Sequence, residues 1–159
     1  MNTTGLLQFV HDLGFVLWLG VTLTMAFVTA GAARSGNLEV VAFAYRTSAR
    51  IYKTLGLAGM VLTLVAGLAL TMVLGHPFFR PFPAHWLFQM QVLGIAAFLV
   101  SAFYLVPLSA RLAAAAEASA AAGEKSATFA RYRKRVAIVS SIVGAVLLLV
   151  LLFGTLRTP

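Results

Sequence analysis

The chain has 159 residues, of which 61% are hydrophobic and only 10% are charged, whereas soluble domains carry about 25% charged residues. This composition excludes a globule that faces water on all sides and predicts a single integral membrane domain over residues 1–159. The formal net charge is +8, but no basic motif interleaved with aromatic residues occurs, so we expect no nucleic-acid partner. The absence of cysteine excludes disulfides and thiolate metal sites.

Four apolar stretches are long enough to cross a membrane as helices, because a span takes about 20 residues. In chain order, we predict these helices over about 4–33, 54–76, 86–112 and 133–156. The connections over about 37–53 and 112–132 mix apolar, basic and alanine residues, which predicts interfacial helices or extensions of the spans. The predicted fold is therefore all-α, a four-transmembrane-helix antiparallel bundle.

The basic residues predict the orientation of this bundle. Ten of the twelve Lys and Arg residues lie in the first and third connections, and only Arg80 and Arg157 lie on the opposite side. Since cytoplasmic loops carry an excess of basic residues, we expect both termini outside, in the bacterial cytoplasmic (inner) membrane. The connection GHPFFRPFPAHW is expected on the same outer side.

All three histidines are predicted to lie near the outer face of the membrane. His11 and His76 each lie 22 residues from the basic end of their span, which is about 33 Å along a helix and matches a hydrocarbon core of about 30 Å. His85 directly precedes the third span, and Met72 and Met90 lie just beneath. Imidazole and thioether groups bind haem iron and copper, so these five residues are candidate metal ligands. Interfacial histidines can instead keep their polar edge in water.

A second set of candidates follows from helical periodicity. His11 begins a stripe of polar and bulky residues on the first helix, and such a stripe within a span is expected to face the bundle interior. Small residues recur every four positions in the second span, which allows either close packing of another helix or a flat macrocycle beside the helix. A glutamine near the start of the third span could bond across the bundle or bind a carboxylate or quinone oxygen. The candidate cofactor-binding residues are His11, Phe15, Trp18, Gly59, Thr63, Gly67 and Gln91.

Three stretches of the chain resemble a family of small membrane proteins. HDLGFVLWLG contains His11, Trp18 and Gly20, and this spacing resembles the first-helix signature of four-helix proteins related to copper-resistance protein D. GLAGMVLTLVAGLAL and HWLFQMQVLGIAAFLVSAFYLVPLSARL resemble the second and third helices of that group. The chain is also similar to the haem-dependent membrane protoporphyrinogen oxidases, and that resemblance implies His11 as an axial ligand of haem b. Those oxidases have a lysine early in the third helix, where this chain has Gln89-Met90-Gln91. This departure counts against the oxidase activity and leaves haem binding open.

The sequence leaves three functions open for this protein of the lipid bilayer. The first is binding of haem b on the outer side of the bundle through His11, for electron transfer or for oxidation of a porphyrin or quinol. Its partner would be a quinone or a periplasmic redox protein, and any enzymatic activity would be that of a haem-dependent membrane oxidoreductase. The second function is copper binding or copper transport. The third is that of a non-catalytic subunit in a larger membrane complex.

Overall fold

The computed structural model describes residues 2–79 and 86–156, and every regular element in these two ranges is a helix. The α-helices are α1 (Thr3–Arg34), α2 (Leu38–Ile51), α3 (Leu57–Val73), α4 (Trp86–Leu99), α5 (Val106–Ala122) and α6 (Ala127–Leu156). A π-helical segment, Tyr52–Gly56, joins α2 to α3 without a break, and a second, Val100–Leu105, joins α4 to α5. The four long helices that result are apolar enough to cross a membrane. This confirms the predicted all-α fold with four spans, whereas the orientation of the termini stays a prediction.

The two composite helices are longer than a bilayer is thick. Leu38–Val73 has 36 residues and Trp86–Ala122 has 37, so each is about 55 Å long, whereas the hydrocarbon core measures about 30 Å. The excess comprises α2 and the last turns of α5, which pack together with the start of α6. The connection over 37–53 therefore continues the second span. The apolar core of this extension consists of Val41, Ala42, Tyr45, Leu112, Ala113, Ala116 and Phe129.

Several helices begin or end at positions that differ somewhat from those predicted, because capping residues determine their ends. α3 ends at Val73 rather than near 76, because Gly75 adopts a left-handed conformation with a φ of 66°. Gly123 has a φ of 72° and ends α5. The hydroxyl of Ser126 then accepts a hydrogen bond from the N–H of Phe129, so α6 begins before the predicted start near 133.

All four long helices contribute to the core within the membrane. α1 packs along α3, while α6 packs along α4 and α5. Large apolar side chains such as Phe27 and Phe103 remain 78% and 72% exposed on the outer surface, where lipid would surround them. The buried cluster between the helices consists of Trp18, Tyr52, Met60, Ala97, Leu105, Val143 and Leu147.

Candidate functional site

α1 and α3 cross in backbone contact at a pair of glycines. A Cβ atom on Gly14 would lie 2.6 Å from the backbone nitrogen of Thr63 and 2.8 Å from the carbonyl oxygen of Gly59. A Cβ atom on Gly59 would lie 2.7 Å from the carbonyl oxygen of Gly14. Neither glycine can therefore be replaced without moving a helix, and the small-residue groove at Gly59 is filled by α1. Gly14 is not among the residues predicted from the sequence, and its one signal there is its position about a single turn after His11.

His11 faces α3 next to this crossing. Its Nδ1 lies 2.8 Å from the carbonyl oxygen of Thr63. Because a carbonyl oxygen only accepts hydrogen bonds, Nδ1 carries the hydrogen and donates it. The imidazole lies over Gly67, where a Cβ atom would be 2.9 Å from both Nδ1 and Cε1, so a glycine admits the ring here. The neutral ring then has its lone pair at Nε2, the atom that can bind a metal.

The stripe that begins at His11 faces inward along α1. Phe15 is half-buried and packs against the membrane core, and Trp18, about two turns from His11, is 2% exposed within that core. A Cβ atom on Gly59 would lie 2.8 Å from the backbone nitrogen of Trp18. The stripe thus forms the inner surface of α1, with the imidazole at one end and the indole in the middle of the bundle.

Gln91 joins α4 to α3 and to the segment that follows α3. Its Nε2 donates to the hydroxyl of Thr71 at 3.3 Å, and its Oε1 accepts from the backbone N–H of Phe79 at 2.9 Å. Phe79 has a φ of 50°, a conformation that bulky residues rarely adopt. Both ends of the Gln91 amide are therefore engaged within the protein, at a position where the sequence predicts a cofactor contact.

The predicted metal ligands point in different directions. Met72 is 68% exposed on the outer surface of α3, whereas the side chain of Met90 approaches Gly154 of α6. His76 is half-buried, and its backbone N–H donates to the carbonyl oxygen of Thr71. His85 lies outside the described residues. Across residues 2–79 and 86–156, no group of three His, Asp or Glu side chains could hold a metal ion.

A cavity of about 220 Å³ lies toward the opposite end of the bundle, where α1, α2, α5 and α6 meet. We call this end, with the connections over 34–53 and 111–135, the basic end. Arg133 lines the cavity, and none of the described lining residues is an Asp or Glu. No pattern in the sequence predicts this cavity, because its wall combines hydroxyl groups from four separate helices. Its polar wall includes Thr29, Ser48, Tyr52, Ser109, Arg133 and Ser140.

Four buried polar atoms near this cavity have no hydrogen-bond partner in the described part of the chain. They are Trp18 Nε1, Ser48 Oγ, Tyr52 Oη and Ser101 Oγ. The Tyr52 hydroxyl lies close to the side chains of Trp18, Thr22 and Ser101, but it is not in hydrogen-bonding geometry with any of them. Tyr52 and Ser101 each belong to one of the two π-helical segments, a structure that is frequent at functional sites.

Comparisons with known proteins identify a family for this chain. No curated protein and no solved structure matches it, and the comparisons give no link to copper-resistance protein D or to the protoporphyrinogen oxidases. Residues 5–158 match the family described as "Predicted integral membrane protein (DUF2269)". Because this match spans nearly the whole chain, the protein belongs to the DUF2269 family of predicted integral membrane proteins.

Proposed function

We propose that this protein binds haem b in the membrane with His11 as axial ligand, and that it serves in electron transfer or in oxidation of a porphyrin or quinol. The supporting observation is the bond between His11 Nδ1 and the carbonyl oxygen of Thr63 at 2.8 Å. Histidines that bind metals commonly donate their other ring N–H to a backbone carbonyl or a carboxylate, because this bond orients the ring and raises its basicity. His11 is half-buried in α1, so its ring is not closed off by protein on all sides.

The residues around His11 have distinct roles in this proposal. The carbonyl oxygen of Thr63 holds the tautomer, and Gly67 leaves room for the imidazole. The hydroxyl of Thr63 donates to the carbonyl oxygen of Gly59, so it does not compete for the ring. A bound haem would supply a one-electron redox couple. His76, half-buried and predicted to lie at the same membrane face, is the described candidate for a second ligand, whereas the directions of Met72 and Met90 give copper no support.

An absorption spectrum of the purified protein after addition of haem tests this proposal. The wild-type protein is expected to show a Soret band with haem bound at a stoichiometry near one. The matched variants are His11→Asn and His11→Ala. The amide nitrogen of Asn can replace Nδ1 in the bond to Thr63 but offers no iron ligand, so His11→Asn should fold as the wild type does and lose the band.

The variants separate an iron ligand from a helix contact. If His11 only holds α1 against α3, His11→Ala lowers stability, His11→Asn restores it, and neither variant nor the wild type has a band. A wild type without a Soret band, or a His11→Asn variant with an unchanged one, would overturn the proposal. His76→Ala tests the second ligand, whose loss should shift the band rather than remove it.

A further inference from the structure

The cavity at the basic end supports a proposal that does not depend on His11. We propose that it binds the anionic head group of a membrane lipid. The acceptor oxygens of the head group would meet the buried hydroxyls of Ser48 and Tyr52, and its negative charge would meet Arg133. The acyl chains would lie along the apolar part of the wall.

The first reason is that two buried hydroxyls of the cavity wall have no hydrogen-bond partner in the described chain. Ser48 and Tyr52 line the cavity, are 8% and 5% exposed, and have hydroxyls without a partner in the described chain. Other hydroxyls of the wall already donate to carbonyl oxygens of their own helices, as Thr22 does at 2.8 Å and Ser109 at 2.7 Å. Because a buried hydroxyl without a partner lowers stability, a ligand that offers acceptor oxygens at this point would be favoured.

The second reason is charge. Arg133 lines the cavity and faces no carboxylate among the described lining residues. A guanidinium group binds the oxygens of a phosphate or carboxylate through a pair of hydrogen bonds. Its neighbours Arg131 and Lys134 do not line the cavity, but they add to the positive charge of the basic end, which attracts anionic lipids.

The third reason is the position of the cavity along the helices. Ala30, the last residue of α1 in its wall, lies four residues before Arg34 at the helix end, which is about 6 Å. The cavity is therefore near the level at which head groups meet the hydrocarbon core. Leu105, Leu112 and Val136 supply the apolar part of its wall, a combination that fits a lipid better than a soluble anion.

The volume of the cavity exceeds that of a single bridging water. It measures about 220 Å³, whereas one water occupies about 30 Å³ in the liquid. Several waters could nevertheless satisfy Ser48 and Tyr52, and waters would show no preference for one lipid over another. Lipid selectivity is therefore the property to measure.

Native mass spectrometry of the detergent-solubilised protein can measure this selectivity. The probes are phosphatidylglycerol and phosphatidylcholine with identical acyl chains, and free glycerol 3-phosphate as the soluble anion. Both lipids carry a phosphate, but the choline cation of phosphatidylcholine cancels the net negative charge that Arg133 would meet. We therefore expect phosphatidylglycerol to bind at least about fivefold more tightly than phosphatidylcholine. Arg133→Gln should abolish the preference, and Ser48→Ala and Tyr52→Phe should each weaken phosphatidylglycerol binding.

Two controls keep this result interpretable. Arg131→Gln removes the same charge from an exposed position of α6 that does not line the cavity, and it should leave the preference intact. Ser48→Ala and Tyr52→Phe remove hydroxyls without partners, so the lipid-free variants should melt no lower than the wild type. Equal binding of the two lipids, or equal losses in Arg131→Gln and Arg133→Gln, would overturn the proposal. Glycerol 3-phosphate binding that depends on Arg133, without a lipid preference, would replace the lipid with a soluble anion.

Discussion

The surroundings of the two ends of α1 differ in how their buried polar groups are paired. Next to His11, the imidazole donates to a carbonyl oxygen of α3, and the glycines of α1 and α3 bring the two backbones into contact. From Trp18 toward the basic end, four buried polar atoms have no hydrogen-bond partner among the residues that the structure describes, and a cavity separates the helices. The same helix thus belongs to a tightly closed contact at one end and to an open, polar one at the other.

Buried polar groups with hydrogen-bond partners and those without are expected to have different roles. Polar groups that meet partners within a membrane protein hold the helices together. Each buried polar atom without a partner instead costs about 1–3 kcal/mol, so a group of four is expected where a ligand or water completes the site. Adding a carbon atom at the crossing of α1 and α3 should therefore lower the free energy of unfolding strongly. Adding carbon atoms in the cavity should hardly change it.

The largest effect is expected from Gly14→Ala at the crossing. The new Cβ atom would lie 2.6 Å from a backbone nitrogen of α3, and since backbone cannot rotate away, the helices must separate. We expect the free energy of unfolding to fall by about 3 kcal/mol, the upper end of the usual cost of overpacking, measured by unfolding in mixed micelles of mild detergent and SDS.

Gly20→Ala on the same helix is the control for Gly14→Ala. Gly20 is exposed, and a Cβ atom there would have no neighbour within 4 Å. The free energy of unfolding of this variant should stay within about 1 kcal/mol of that of the wild type. Equal losses of stability in the two variants would show that alanine destabilises α1 itself, and that the crossing with α3 is not the cause.

A smaller effect is expected from Gly67→Ala. Here a Cβ atom would meet the ring of His11 at 2.9 Å, and a side chain can move where a backbone cannot. The variant should lose the bond from Nδ1 to Thr63 and with it about 1–2 kcal/mol of the free energy of unfolding. If His11 binds haem, the Soret band should also shift in this variant, because the imidazole is no longer held in place. An unchanged band would show that the bond to Thr63 does not position the ring on the haem.

The four spans follow from the sequence because membrane thickness demands a minimum length of apolar helix. The inward direction of the stripe from His11 to Trp18 also follows, because the period of a helix is intrinsic to it. The partner across that stripe does not follow. Whether Gly59 meets a macrocycle or Gly14 depends on which helix packs there, and periodicity within one helix contains no information about its neighbour.

The cavity is harder still to predict from the sequence. Tyr52, Ser109 and Arg133 come from distant parts of the chain, and hydroxyl residues are common in membrane helices, where they bond to their own backbone. Tyr52 and Leu105 reach the cavity from the two π-helical segments. The π-helical segments leave no pattern in the sequence that α-helical periodicity would detect.

The smallest effect is expected from Ala137→Val in the cavity wall. Ala137 lies on α6 and lines the cavity, so the two added carbon atoms enter space that no side chain occupies. The free energy of unfolding should change by no more than about 0.5 kcal/mol, in contrast to the single carbon added at Gly14. A loss as large as that of Gly14→Ala would mean that α1 and α6 close on each other in the membrane, and the contrast between the two ends of α1 would disappear.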